Sequence, residues 1–134
     1  MSNVLVDSSV WVDFFRDSSS PHGTVLDHLL EQGLVCTASL IKAEIIPSAL
    51  NKKDFNRLRD LFQALPLLEE PKTFWNEIIL AQFTLKQKGI HGIGIPDLMI
   101  AILAKTHEKE VFTKDRHFDL MKKPLGLKLF DPFS

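Results

Sequence analysis

Four acidic residues occupy positions where their carboxylates could act together. Asp7 and Asp115 each follow a short apolar run that is typical of a buried strand. Glu44 lies one turn into a helical pattern, and Asp97 opens another. In open parallel sheets, ligand sites lie beyond the carboxyl ends of the strands. If the strands before Asp7 and Asp115 are neighbours, all four acids meet at one edge of the sheet.

Each acid also has an ordinary structural explanation. Asp7 could simply cap a helix, and Asp115 could be a turn residue. Asp97 at a helix start gains about 0.3–1 kcal/mol from the helix dipole. Glu44 has apolar neighbours around most of its helix, so it lies either on a narrow solvent stripe or against a site.

Electrostatics decides what a converged set would do. Two carboxylates roughly 5 Å apart repel by about 3 kcal/mol at an effective dielectric of about 20. Four of them together rival the whole stability of a domain, about 5–15 kcal/mol, so the cluster must take up protons or a cation. An all-oxygen site suits Mg²⁺ or Mn²⁺ better than Zn²⁺. Such an ion can activate water against a phosphodiester.

The elements that would position these acids alternate along the chain. Short apolar runs predict strands, at 4–6, 34–38, 65–68, 111–113 and 127–130. Helical patterns lie between them, at 10–16, 21–32, 40–46, 54–65, 72–88, 98–107 and 118–121. We therefore expect a single domain over residues 1–134, an α/β fold with a three-layer α/β/α sandwich and a mainly parallel central sheet.

Composition narrows the class of protein. The chain has 134 residues, one cysteine and a net charge of −1, which excludes an internal disulfide, a cysteine-based zinc cluster and a polycationic nucleic-acid coat. We expect no signal peptide and no membrane span, and hence a cytoplasmic protein. Cys36, inside a predicted strand, is expected to serve packing.

Basic residues flank two of the acids. Without the four acids the chain carries +3, and two groups of cations lie near Asp115 and after Glu44. These cations are Lys114, Arg116, Lys122 and Lys123, and Lys52, Lys53, Arg57 and Arg59. Cations around an acidic metal site suit a polyanion whose scissile phosphate meets the metal.

The sequence resembles the PIN-domain proteins of the VapC toxin family in four stretches that follow the family's order. They are VLVDSSVWVDFFR at 4–16, Ala43-Glu44-Ile45, IPDLMIA at 95–101 and TKDRHF at 113–118. The resemblance covers the whole chain and implies a PIN-like fold. It also implies a Mg²⁺- or Mn²⁺-dependent endoribonuclease that is the toxin of a type II toxin–antitoxin pair.

Roles follow from this resemblance position by position. Asp7 and Asp97 would be the principal metal ligands, and Glu44 and Asp115 would complete the catalytic site, directly or through waters. Ser9 and Thr113 would be hydroxyls that orient carboxylates or waters. The family further implies an RNA substrate, a homodimer and a cognate antitoxin whose tail lies across the active-site groove.

The chain departs from the family at His117, where a further acid is common, so we count no fifth carboxylate. His91 and His117 could contact RNA, although surface or structural roles are commoner for isolated histidines. Arg16 could contact antitoxin or phosphate. Trp11, Phe14 and Phe15 are expected in the core, the alternative being an antitoxin-binding groove, and residues 100–103 are bulkier than the family's usual run.

Two other functions fit the same pattern. The first is a non-catalytic RNA- or protein-binding domain of the same fold. The second is a phosphoacceptor or phosphatase that uses Asp7 as nucleophile. The phosphatase is disfavoured because Ser9 stands where a phosphatase has a second Asp. Metal-activated hydrolysis of RNA is the function that the sequence favours.

Overall fold

A parallel sheet of three short strands lies at the centre of the computed structural model, which describes residues 3–134. The strands are β1 (Val4–Val6), β2 (Val35–Cys36) and β3 (Glu110–Phe112), in the order β2-β1-β3. In β1, Leu5 pairs with Cys36 on one side and Val111 on the other. Because every pairing is parallel, the carboxyl ends of all three strands lie at the same edge.

Seven helices flank this sheet in the described part of the chain, which confirms the predicted α/β sandwich. They are α1 (Ser8–Arg16), α2 (Pro21–Glu31), α3 (Ser39–Ile45), α4 (Lys52–Gln63), α5 (Phe74–Gln87), α6 (Ile95–Thr106) and α7 (His117–Leu125). A 3₁₀ turn at Ile46–Ser48 follows α3, where Pro47 ends the helix. Helix α1 packs against α2 and α3, and α5 packs against α6 and α7.

The two remaining predicted strands are reduced to single bridges. Thr37 pairs with Leu67, and Val111 pairs with Leu129, both in parallel. Pro66 has no N–H to donate, and here only its carbonyl takes part, accepting the N–H of Thr37. Pro124 lies inside the last turn of α7 and does not precede a strand. The strands predicted at 65–68 and 127–130 are therefore edge contacts of one residue each.

Helix starts follow the predicted capping chemistry in most places. The Asp7 side chain caps α1, and Ser20 caps α2 ahead of Pro21. Helix α6 starts at Ile95, earlier than the predicted residue 98, because a proline fits the first turn of a helix. Asp97 therefore lies within the first turn of α6.

The core forms around β1 and α6. Helix α6 is apolar on nearly every side and is largely buried. Its buried residues are Leu98, Ile100, Ala101, Ile102, Leu103 and Ala104. Cys36 is buried as well, and burial raises the pKa of its thiol to about 11, so the thiol is protonated and serves packing.

The three aromatic residues of α1 have different environments. Trp11 is fully buried, with its ring 4.7 Å from that of Phe62. Phe14 is partly buried, whereas Phe15 is 43% exposed. The expectation of a core position is thus confirmed for Trp11 and wrong for Phe15, whose side chain stacks on Trp11 with one side left to solvent.

Within residues 3–134, no helix combines the length and the apolar character needed to cross a membrane.

The central strand should carry a large share of the stability. Leu5 is fully buried, so Leu5→Ala should lower the free energy of unfolding by about 2–5 kcal/mol. Leu50 is 92% exposed, and the same truncation there should change it by less than about 0.5 kcal/mol. Urea denaturation of both variants checks this, and equal losses would contradict the burial pattern.

Candidate metal centre

Three carboxylates gather at the carboxyl edge of the sheet. The backbone N–H of Asp7 donates to the carbonyl of Phe112 at 2.8 Å, which holds the end of β1 beside the end of β3. Asp115 follows β3 in the turn before α7, and Asp97 enters from the first turn of α6. Three separate segments of the chain thus deliver one acid each to the same place.

Two hydroxyl groups fix the orientation of the Asp7 carboxylate. Ser9 Oγ donates to Asp7 Oδ2 at 2.8 Å, and Thr113 Oγ1 donates to the same oxygen at 2.9 Å. The backbone N–H of Ser9 also reaches Oδ2, at 3.4 Å. Among residues 3–134 every hydrogen bond to the Asp7 side chain ends on Oδ2, so Oδ1 is left for a cation.

The same hydroxyls extend toward Asp115. The N–H of Lys114 donates to Ser9 Oγ, and the N–H of Asp115 donates to Thr113 Oγ1, both at 3.0 Å. The loop after β3 is therefore tied to the start of α1 through two side chains. Ser9 and Thr113 lie where the resemblance expects orienting hydroxyls.

Glu44 lies at the same edge but outside the closest cluster. Its Oε1 accepts a hydrogen bond of 2.8 Å from Ser8 Oγ, and Ser8 is the neighbour of Asp7 in the chain. Its side chain is exposed. Helix α3, which follows β2, thus places Glu44 beside the start of α1. Sequence reasoning did not identify Ser8, although it follows Asp7 directly.

From the sequence, His117 is expected to make at most a contact with RNA, whereas the structure places its ring among the acids. Its Nδ1 lies 3.3 Å from Asp97 Oδ2 and 3.7 Å from Asp115 Oδ1. The donor atoms of these three residues all lie within 4.8 Å of one another, and among the described residues neither Asp7 nor Glu44 belongs to this group. The available signal for His117 was its position two residues after Asp115 at the first residue of α7, which brings its ring back over the preceding turn.

Asp97 carries the electrostatic cost of this arrangement. Its pKa is raised, first by partial burial and then by the charges of Asp115 and Asp7, while the hydrogen bond to His117 opposes the rise. Within the described chain no lysine or arginine pairs with these three acids, and Lys114 instead pairs with Asp13 at 3.1 Å. Apart from the imidazole of His117, the cluster therefore lacks a cationic partner of its own.

This donor set fits a hard divalent cation. Carboxylate oxygens from separate elements, one of them with a free oxygen and fixed orientation, are the ligands that Mg²⁺ and Mn²⁺ take. Nucleophilic catalysis by a cysteine is less well supported. The sole cysteine is buried, and the histidine of the cluster faces carboxylates and not a thiol.

Comparison with known proteins agrees with this geometry. The family model of the PIN domain matches residues 4–124. The chain belongs to the PIN-domain family. Ribonuclease VapC21 of Mycobacterium tuberculosis is 33% identical over 99 residues, which cover 70% of each protein, and this places the PIN domain among the VapC ribonucleases. The VapC ribonuclease Mb1587 of Mycobacterium bovis is 25% identical over 128 residues, covering 93% of this chain and 96% of the relative.

Solved structures share the fold of this PIN domain. VapBC of Salmonella typhimurium bound to DNA matches with a TM-score of 0.77 at 17% identity, over 98% of this chain and 99% of that one. FitAcB of Neisseria gonorrhoeae matches with a TM-score of 0.70 at 24% identity, over 97% and 98% of the two chains. The PIN-like fold is thereby confirmed.

Removing the charge of Asp97 should stabilise the metal-free protein. Below the ordinary pKa the Asp97 carboxyl is protonated in both the folded and the unfolded protein, so its ionisation costs no stability there. The cost grows as pH rises from the ordinary pKa to the raised pKa of the folded protein, and it is fully present above that. At neutral pH with EDTA, Asp97→Asn should therefore raise Tm, and the gain should vanish in acid. Thermal unfolding followed by circular dichroism at both pH values measures this.

Asp54→Asn is the matched control, because Asp54 is the third residue of α4 as Asp97 is of α6. This change loses a helix-dipole interaction of about 0.3–1 kcal/mol and an exposed pair with Arg57, and should lower Tm slightly. If Asp97→Asn lowers Tm as much as the control does, the charge of Asp97 does not destabilise the metal-free protein, and this prediction is wrong.

Proposed function

We propose that this protein is a divalent-metal-dependent endoribonuclease and the toxin of a type II toxin–antitoxin pair. The observation that carries the proposal is the convergence of Asp7, Asp97 and Asp115 at one sheet edge, with Asp7 oriented by Ser9 and Thr113. Membership of the VapC ribonucleases supports it. The proposal includes action in the cytoplasm, where a cellular RNA substrate would be met.

In this proposal each site residue has a separate task. Asp7 and Asp97 hold a Mg²⁺ or Mn²⁺ ion, and Asp115 adds charge to the same place. Ser9 and Thr113 occupy Oδ2 of Asp7, which leaves Oδ1 to the ion. When bound, the ion supplies a Lewis acid that neutralises the scissile phosphate and acidifies the attacking water.

Glu44 is the carboxylate suited to proton transfer. It is exposed at the edge of the site, and one of its oxygens is held by Ser8 Oγ. Its other oxygen is free to accept the proton that the attacking water loses. Water is the nucleophile in this proposal, because no Ser/His or Cys/His pair is apparent in the sequence and the Cys36 thiol is buried.

Cations beside the acids would bind the RNA backbone. A cavity of about 300 Å³ next to Asp115 is lined by the cations Arg116 and Lys122, and also by Asp119 and Asp131. Both cations are exposed, so they can pair with phosphates on either side of the cleaved bond. The RNA would then lie across the acidic site, with the phosphates on either side of the cleaved bond paired with these cations.

The antitoxin would occupy a groove between α1 and α4. This groove has a volume of about 700 Å³ and is lined by Phe15, Leu50, Leu58 and Leu61, with Arg57 and Asp54 at its rim. Phe15 and Leu50 are 43% and 92% exposed, which is unusual for apolar side chains without a partner. Solved toxin–antitoxin complexes with the same fold, among them one from Klebsiella pneumoniae, support an antitoxin partner.

Purified protein should cleave RNA in Mg²⁺ or Mn²⁺ and stop with EDTA. Partners that only orient a ligand are worth about 10–100-fold in activity, so Thr113→Val should lose that much. Asp7→Asn should lose at least about 100-fold by the same reasoning. Cleavage of a labelled RNA measures these rates, with Asp54→Asn as the control that keeps full activity.

Full activity in Asp7→Asn, or cleavage that persists in EDTA, would refute the proposal. A non-catalytic binding domain of the same fold would show neither cleavage nor a thermal shift with Mn²⁺. A phosphoacceptor would instead take label at an aspartate from a small phosphodonor. Expression in a bacterial host adds a second readout, since the wild-type chain should arrest growth and Asp7→Asn should not.

Helix α5 supports a homodimer. Trp75, Ile79 and Phe83 recur every fourth residue and are 53%, 68% and 59% exposed, with Leu80 beside them at 63%. Such an apolar stripe on one helix fits a self-complementary contact across a two-fold axis.

A charge in the middle of this stripe should therefore disrupt the dimer. Wild-type protein should sediment at twice the 15.2 kDa mass of the chain, and Ile79→Glu should sediment as a monomer. Leu50→Glu, at an apolar position outside α5 that is 92% exposed against 68% for Ile79, should remain dimeric. A wild-type monomer at micromolar concentration, or a dimer unaffected by Ile79→Glu, would contradict this surface.

A further inference from the structure

His117 brings a nitrogen atom to a group of donors that is otherwise all oxygen. Its Nδ1 lies 3.3 Å from Asp97 Oδ2 and 3.7 Å from Asp115 Oδ1. The ring is half exposed, and so can be reached by an ion from solvent, while Asp97 is more enclosed. The four site residues predicted from the sequence are all carboxylates, so they include no nitrogen ligand.

These separations suit ligands of one ion. Two ligands at neighbouring positions of an octahedron, each about 2.1 Å from the metal, lie about 3.0 Å apart. The Nδ1 atom is within a few tenths of an ångström of that spacing from Asp97. All three donors lie within 4.8 Å of one another, against at most about 4.2 Å for opposite ligands of one ion, so side-chain rotation would have to draw them together.

The backbone holds the ring at this place. The N–H of His117 donates to Asp115 Oδ1 at 2.9 Å, so the two residues share a turn that opens α7. Helix α7 is anchored by Phe118 and Met121, both fully buried. The ring is therefore attached to a fixed helix end and not to a mobile loop tip.

We propose that His117 is a direct ligand of the divalent ion, and that this ligand makes the site select Mn²⁺ over Mg²⁺. The inference rests on the proposed metal-dependent function. An imidazole nitrogen adds affinity for first-row transition ions, which rises from Mn²⁺ towards Co²⁺, whereas Mg²⁺ prefers oxygen. A site with carboxylates alone would discriminate less between the two ions.

Metal binding by the full chain tests this directly. Isothermal titration gives the affinities of wild type, His117→Ala and His117→Asp for Mn²⁺ and Mg²⁺, with His91→Ala as the matched control. His117→Ala should weaken Mn²⁺ at least about tenfold and change Mg²⁺ much less. His117→Asp should restore binding but narrow the preference for Mn²⁺, and His91→Ala should match wild type.

Pulsed electron paramagnetic resonance of bound Mn²⁺ supplies a readout that does not depend on activity. Wild type and His91→Ala should show a nitrogen coupling to the ion, and His117→Ala and His117→Asp should lack it. Bound Mn²⁺ without this coupling in wild type would overturn the inference and leave the proposed function intact.

Two further outcomes separate the remaining accounts. If the ring serves only as a cationic partner of Asp97 and Asp115, His117→Ala should strengthen binding of both ions, and the inference fails. If wild type binds neither ion, the inference and the proposed metal-dependent function fail together.

Discussion

Mutual repulsion among Asp7, Asp97 and Asp115 is the constraint on which the rest of this site depends. Three carboxylates at one sheet edge oppose folding unless donors or cations offset their charge. The protein supplies part of that compensation itself: two hydroxyls bond Asp7, a histidine faces the other two acids, and Asp7 and Asp97 lie at helix N-termini. The pKa of Asp97 is raised, first by its partial burial and then by the charges of Asp115 and Asp7, and in our account a divalent cation completes the compensation.

The parallel sheet makes this arrangement possible. Pairing of β1 with β3 places Asp7 beside the segment that carries Thr113 and Asp115, and the apolar α6 carries Asp97 to the same edge. The buried sheet and α6 contribute stability that offsets the repulsion among the acids. Residues at this edge are therefore chosen for charge and geometry, whereas those behind it are chosen for packing.

Much of this could be predicted from the sequence, because the signals are local. The apolar run before Asp7 specifies β1, and the helical patterns at 21–32 and 98–107 specify α2 and most of α6. The strands at 65–68 and 127–130 were over-predicted, since pairing depends on partners distant in the chain and only Leu67 and Leu129 find them. Local propensity does not report how long a strand pairing extends.

The site shows the same division. The position of Asp7 at a strand end predicts its location at the edge, and the resemblance supplies the hydroxyls of Ser9 and Thr113. Ser8 was missed, and His117 was considered only as an RNA contact, because their places in the site depend on contacts with residues 36 and 20 positions away. The role of a histidine depends on what it faces, and a single sequence does not contain that information.

The most direct measurement is a crystal structure of the protein soaked in Mn²⁺, with the ion located by its anomalous scattering. Our account predicts one strong peak at the carboxyl edge of the sheet, about 2.0–2.4 Å from carboxylate oxygens of both Asp7 and Asp97. A map with no peak there at millimolar Mn²⁺, or with the two carboxylates too far apart to share an ion, would contradict it.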